Sequence, residues 1–221
     1  MKTFATLIAL GFAASVQAQT PEAVMQKASS AYSEMKTVRA EFQQTIANPL
    51  TGTNAVSRGV MFRKAPNLLS VNFSDPMGDR VVADGKSLWV YLPSSAPGQV
   101  IRLPASGKSA LALVEPGELF LSSPSSRYTI TSNGTATVSG RKMNVVSLVP
   151  KKGNNVFTRA KVWVDVQDNS VRQFEVVDAN GLTRLVTITK LQTNVDVAPS
   201  EFRFSPPRNT RVLDSSAYSG N

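Results

Sequence analysis

Residues 58–93 read RGVMFRKAPNLLSVNFSDPMGDRVVADGKSLWVYLP and hold three short runs in which apolar and polar positions alternate. The runs are Val60 and Phe62, then Leu69, Val71 and Phe73, then Leu88, Val90 and Leu92. A period of two is the mark of a strand with one face turned to a core. Pro66-Asn67 and Asp84-Gly85 punctuate the runs, and both are turn chemistry. Asp84-Gly85 between apolar runs predicts a tight hairpin, because Gly accepts positive φ without steric cost. The third run is apolar on its second face too, through Trp89 and Tyr91. Such a strand needs cover on both sides.

Upstream the period is different. Thr20-Pro21 supplies a capping hydroxyl followed by proline at the first helical position. Val24, Ala28, Ala31 and Met35 then recur at helical spacing, which predicts one amphipathic helix. From Thr37 the alternation returns, with Val38, Ala40, Phe42 and Ile46 set against Arg39, Glu41 and Gln43. Residues 100–103 read as a further strand. Downstream, strands are predicted over 128–132, 135–139, 144–150, 161–166, 171–178 and 183–192, separated by Asn133-Gly134, Asp168-Asn169-Ser170 and Asn180-Gly181. Residues 201–207 read as a last strand ended by Pro206-Pro207. Residues 105–127 break the rhythm: Leu111, Leu113, Leu119, Phe120 and Leu121 stand among Gly107, Pro116, Gly117 and Pro124. This is an apolar insertion without strand alternation, and it and residues 93–104 are the places for a lid. About 10–11 strands joined by tight turns predict an antiparallel sheet, curled or closed, in an α+β fold.

The first residues change the picture of compartment. Met1-Lys2, an apolar stretch and Val16-Gln17-Ala18 read as a secretory signal, 1–18, cleaved after Ala18. One domain, 19–221, is expected to follow, without internal repeat or linker. The apolar stretch is too short to span a bilayer. With no Cys in the chain there is neither a disulfide nor a site for a thioether lipid anchor, so stability must come from a core. The formal net charge is +9. In an exported protein this points to anionic headgroups or acidic partner proteins rather than nucleic acid, with a dispersed solubility charge as the plain alternative.

Candidate chemistry is mostly missing. Zero His and zero Cys remove the Ser-His-Asp and Cys-His arrangements and the usual transition-metal ligands. Ser139-Gly140-Arg141-Lys142 matches a Ser-x-x-Lys pattern but falls in a predicted hairpin, not at a helix start. The acidic residues are too scattered for a carboxylate pair or a calcium loop. No cofactor, no metal and no catalysis are expected. What remains is apolar surface with which to bind something.

Taken in order, Gly59, Lys64-x-Pro66-Asn67 and Asp84-Gly85-Lys86-x-Leu88-Trp89-x-Tyr91-x-Pro93 resemble the periplasmic carriers of outer-membrane lipoproteins, the LolA family. Val162-x-Val164 with Gln173-Phe174, and Phe202-x-Phe204-x-Pro206-Pro207, extend the resemblance over most of the chain. It implies an unclosed antiparallel β-barrel capped by short helices round an apolar cavity. It further implies a monomeric carrier with acylated lipoproteins as cargo, an inner-membrane lipoprotein-release complex as donor and an outer-membrane lipoprotein receptor as acceptor. That receptor is similar in fold but is itself a lipoprotein, so the missing Cys favours the soluble carrier. On this resemblance the cavity residues are Leu69, Val71, Phe73, Val90, Val164 and Phe174, and the lid residues Leu111, Leu113, Leu119, Phe120 and Leu121. Ordinary core packing is the competing reading for each of them.

The resemblance departs at one position. The family commonly has Arg before the proline of its Arg-Pro-Asn turn, where it tethers the lid; here the residue is Ala65. Arg63 lies two residues earlier on the same strand face and is the candidate latch. The alternatives are a solvated rim charge at Arg63 and a lid with no polar latch. Three rival functions stay open: a carrier or sensor of another lipid or glycolipid, an exported hydrolase, and a structural envelope protein, which would have a filled interior.

Overall fold

A computed structural model describes residues 19–104, 117–152 and 157–214. Helix α1 covers Pro21–Glu34 and begins where the cap places it: Thr20 Oγ1 accepts the Ala23 N–H at 3.3 Å. Val24, Met25 and Ala28 are its buried residues, so the predicted stripe is real, with Met25 and the half-buried Tyr32 widening it.

The strands are β1 Thr37–Asn48, β2 Thr53–Lys64, β3 Leu68–Asp75, β4 Met77–Asp84, β5 Ser87–Tyr91 and β6 Gln99–Pro104. A short π-helical turn, Gly117–Leu121, and a one-turn helix α2, Pro124–Arg127, precede the second half. There follow β7 Tyr128–Val138, β8 Arg141–Pro150, β9 Arg159–Asp165, β10 Val171–Val177, β11 Thr183–Thr193 and β12 Arg211–Asp214. All of them form one 12-stranded sheet in the order β12-β6-β5-β4-β3-β2-β1-β11-β10-β9-β8-β7. Neighbours are antiparallel except β12, which lies parallel to β6. Since β7 and β12 stand at opposite ends of the order, the sheet curls without closing. The expected fold class is therefore the observed one.

The Asp84-Gly85 hairpin forms as its sequence requires. Gly85 has φ of 90°. Asp84 accepts the Lys86 and Ser87 N–H groups, each at 2.8 Å, and the Trp89 indole N–H at 2.8 Å. Burial works against the Asp84 carboxylate, but these donors outweigh it and hold its pKa below the ordinary value. The cover demanded by β5 is present: Leu88 is buried in the inner core, while Trp89 and Tyr91 meet Phe204 at ring distances of 5.6 and 5.9 Å.

Four expectations are corrected. Residues 77–84 form β4, which alternation did not reveal because Val81, Val82 and Ala83 are buried consecutively, on both faces. β2 shows its other side to the core: Gly59 and Met61 are buried, while Phe62 faces outward under the Arg39 guanidinium. Asn133-Gly134 is an irregularity inside one continuous strand, β7, and the reversal comes later, at Ser139-Gly140 with φ of 49° and 76°. The tail is not a strand at 201–207. It is a strap across the outer face, with a 3-10 turn at Pro199–Phe202 and Phe202 buried. Asn72 Nδ2 donates to Glu201 Oε2 at 3.1 Å, and Arg80 Nη2 donates to the Glu201 carbonyl at 3.0 Å. Only after Pro206-Pro207 does the chain pair again, as β12.

Candidate functional site

The inner face of the sheet holds α1 and the π turn, and between them lies an apolar cavity of about 50 Å³. Helix α1 supplies Ala28, Tyr32 and Met35; β1 supplies Val38 and Ala40. Met61 and Arg63 of β2 face them, as the register pairs Ala40 with Met61 and Val38 with Arg63. Ile188 and Leu191 of β11, with Ser170 and Val171 at the start of β10, complete the wall, and Gly117 and Leu121 of the π turn cover it. The space exists because several facing positions are small. Ala28, Ala40 and Gly117 sit where larger side chains would meet.

Among the described residues Arg63 is the charged group in this wall. Its Nη1 donates to the Met35 carbonyl at 2.8 Å, at the C-terminal end of α1, and its guanidinium carbon stands 4.1 Å from the Tyr32 ring centroid. The helix end favours a cation there. Beside the cavity, the β9–β10 turn is held by charge. Asp165, with no exposed side-chain surface, pairs with Arg141 and Arg172, and Asp168 accepts Arg172 Nη2 at 2.5 Å. Asp168 also accepts the Ser170 N–H and hydroxyl, which fixes a cavity-lining residue. Burial pushes the Asp168 carboxyl up, yet the Ser170 and Arg172 donors bring it below its usual range.

The six cavity residues chosen from sequence fall around this cavity rather than in its lining, whereas Arg63 and Leu121 line it. Leu69, Val71, Val164 and Phe174 are buried in the inner core, and Phe73 and Val90 pack against it half-buried. Leu121 covers the cavity, while Leu119 and Phe120 are buried behind it. Leu111 and Leu113 lie outside the described residues. Ala28, Tyr32, Met61, Val171, Ile188 and Leu191 were not foreseen as lining, although the stripe of α1 had already placed Ala28 on the right face. Among the described residues no cluster of three His, Cys, Asp or Glu could hold a metal, and no helix is long and apolar enough to cross a membrane.

A curled, mainly antiparallel sheet with a helix in its concavity and an apolar space beneath defines an unclosed β half-barrel. The model of the family described as outer membrane lipoprotein carrier protein LolA matches residues 33–205, and the chain belongs to that family. Among curated relatives, the outer-membrane lipoprotein carrier protein of Edwardsiella ictaluri is 26% identical over 182 residues, 82% of each chain. That of Chromobacterium violaceum is 24% identical over 213 residues, 95% of this chain and 97% of the relative. Two solved structures share the fold. An uncharacterized conserved protein from Thermus thermophilus matches with a TM-score of 0.55 at 11% identity, over 87% of this chain and 98% of that one. MucB matches with a TM-score of 0.52 at 14% identity, over 84% of this chain and 62% of its own.

Proposed function

We propose that this protein is a periplasmic carrier that takes up the acyl chains of lipoproteins, released at the inner membrane, and yields them to an outer-membrane acceptor. The observation that carries the reading is the apolar cavity between α1, β1, β2 and β11 in a chain of the lipoprotein-carrier family. In this reading residues 1–18 are removed after Ala18, and 19–221 act as one monomeric carrier domain without cofactor or covalent chemistry. Transfer is affinity exchange between apolar sites.

A magnitude favours a carrier of this kind. At about 0.8 kcal/mol per buried CH₂, an acyl chain of ~16 carbons costs ~12 kcal/mol to leave in water. A multiply acylated protein needs comparable burial to cross an aqueous space, and the carrier must then give that burial up. A cavity of about 50 Å³ takes only the end of one chain, so the cover has to move for more to enter. In this proposal Leu69, Val71, Phe73, Val90, Val164 and Phe174 form the apolar floor that a widened cavity exposes, and Arg63 holds α1 to the sheet as the latch.

The test is mass spectrometry of what copurifies with the native protein from the envelope. Acylated lipoproteins are the expected cargo. A phospholipid or glycolipid found in their place would overturn the cargo while keeping the cavity. A chain that retains no lipid of any class would overturn the carrier reading.

A further inference from the structure

The two edges of the sheet are built differently. At one, β12 has four residues, Arg211–Asp214, with a charge at each end, and Asp214 pairs with Arg102 at 3.6 Å. A short, charged strand discourages further pairing. At the other, β7 has 11 residues, Tyr128–Val138, and none is charged. Thr129, Thr131, Ser132, Thr135 and Thr137 are exposed along it. Strand-favouring threonines without Lys or Pro leave a row of backbone donors and acceptors open. The irregularity between Ser132 and Thr135 guards only the middle of the strand, where the Ser132 hydroxyl accepts the Gly134 N–H. Residues 128–132 are a straight run, paired without a break to residues 146–150 of β8. Among the described residues no strand pairs with the far side of β7.

Charge around that edge is one-sided. Residues 119–164 hold seven Lys or Arg and no Asp or Glu, against a net charge of +9 for the whole chain. Arg141 is engaged by Asp165 and Asp168, and Lys161 lies beside Glu175. Lys142, Lys151, Lys152 and Arg159 are exposed and belong to no ion pair among the described residues. Lys151 directly follows Pro150, the cross-strand partner of Tyr128, so Lys151 and Lys152 stand at the start of β7. We propose that the free edge of β7 is a docking site for an extended acidic segment of a partner protein, which adds a strand along residues 128–132 and sets its carboxylates against Lys151 and Lys152. Backbone hydrogen bonds supply the affinity, and the cations select the partner. A second copy of the chain fits worse, because it would bring two such basic edges together. A membrane surface fits worse too. Interfacial binding joins cations to apolar side chains, and of the exposed large apolar residues among those described only Val149 lies on β7 to β9. The edge lies outside the cavity lining, so the inference does not depend on what the cavity carries.

The experiment uses the full chain and a short peptide of alternating Thr and Val with Asp or Glu at both ends. Fluorescence anisotropy reads its binding, and hydrogen exchange of backbone amides reads where it sits. The expected result is slowed exchange within residues 128–132 and unchanged exchange in β12. Binding should weaken about tenfold for a peptide with Lys in place of its acids, and likewise in a Lys151→Glu, Lys152→Glu double variant. It should vanish for a peptide N-methylated at its central amides, which keeps the charge and loses the ladder. No binding of the acidic peptide, binding without protection of β7, or equal binding after N-methylation would overturn the docked strand. Protection of β7 that appears with rising protein concentration alone, or on phosphatidylglycerol vesicles but not with peptide, would overturn the acidic partner in favour of a second copy or a membrane.

Discussion

Two parts of the same inner face differ in what meets on them. Over β7 to β10, Phe120, Tyr128, Phe157 and Phe174 interlock, with ring distances between 5.4 and 5.9 Å. Over β1, β2 and the end of β11, the facing positions are Ala28, Ala40, Met61 and Leu191, and a cavity remains. The sheet is continuous across both regions, so backbone topology does not separate a packed core from a binding space. Side-chain volume does. Where rings fill the concavity, the sheet is held to its cover; where alanines line it, a space remains.

That contrast is open to attack by mutation, most strongly in the packed region. Phe157→Ala should cost about 3–5 kcal/mol of stability, because the ring is fully buried among others and the site cannot collapse. Denaturant titration checks it, and a cost below that of an exposed residue would erase the distinction between the two regions. Next comes Arg63→Leu. It removes a charge-assisted hydrogen bond to the Met35 carbonyl, worth roughly 1.5–3 kcal/mol, and should speed release of a bound acyl probe. Release unchanged from the parent would mean that Arg63 is a rim charge, the alternative its sequence position left open.

Filling the space should give the reverse of the Phe157 result. Ala40→Leu is expected to change stability by less than about 1.5 kcal/mol while removing most acyl binding, since the added methylenes enter existing volume. Thermal unfolding and probe titration on the same sample separate the two effects. The smallest prediction concerns pH. The folded Asp168 carboxyl lies below its ordinary value, so its stabilising contribution is complete above the unfolded pKa of about 3.9 and fades as pH falls through the folded one. The group is partly exposed, which keeps the effect small. Asp168→Asn should flatten the acid limb of the stability curve and leave the neutral region little changed.

How much of this was legible along the chain follows from the same physics. Strands with one covered face announced themselves by alternation, as β1 and β11 do, and Thr20-Pro21 and Asp84-Gly85 marked a helix start and a hairpin correctly. β4 escaped because both of its faces are covered, the inner by the core and the outer by the strap. Val60 and Phe62 misled about β2, whose inner face is Gly59, Met61 and Arg63. Gly59 is there because a Cβ would collide with the Asn72 carbonyl and touch the Phe42 ring, a cross-strand fact with no local signature. The cavity escaped for a deeper reason. Apolar strand residues were chosen as its lining, and large apolar residues are those that fill space. An absence of volume arises between small residues on different elements, and Ala28, Ala40 and Gly117 lie far apart in sequence. Arg63 was picked out because its strand face was reasoned through, yet the ring it holds, Tyr32, stood one position off the stripe assigned to the helix.

The central claim is that the space walled by α1, β1, β2 and β11 receives acyl chains. It is tested most directly by photocrosslinking a triacylated lipopeptide with a diazirine at the end of one chain, followed by peptide mapping of the labelled residues. The account predicts adducts on Tyr32, Met35, Met61 and Leu191, lost in Ala40→Leu. Adducts confined to the outer strap around Phe204, or unchanged in Ala40→Leu, would contradict it.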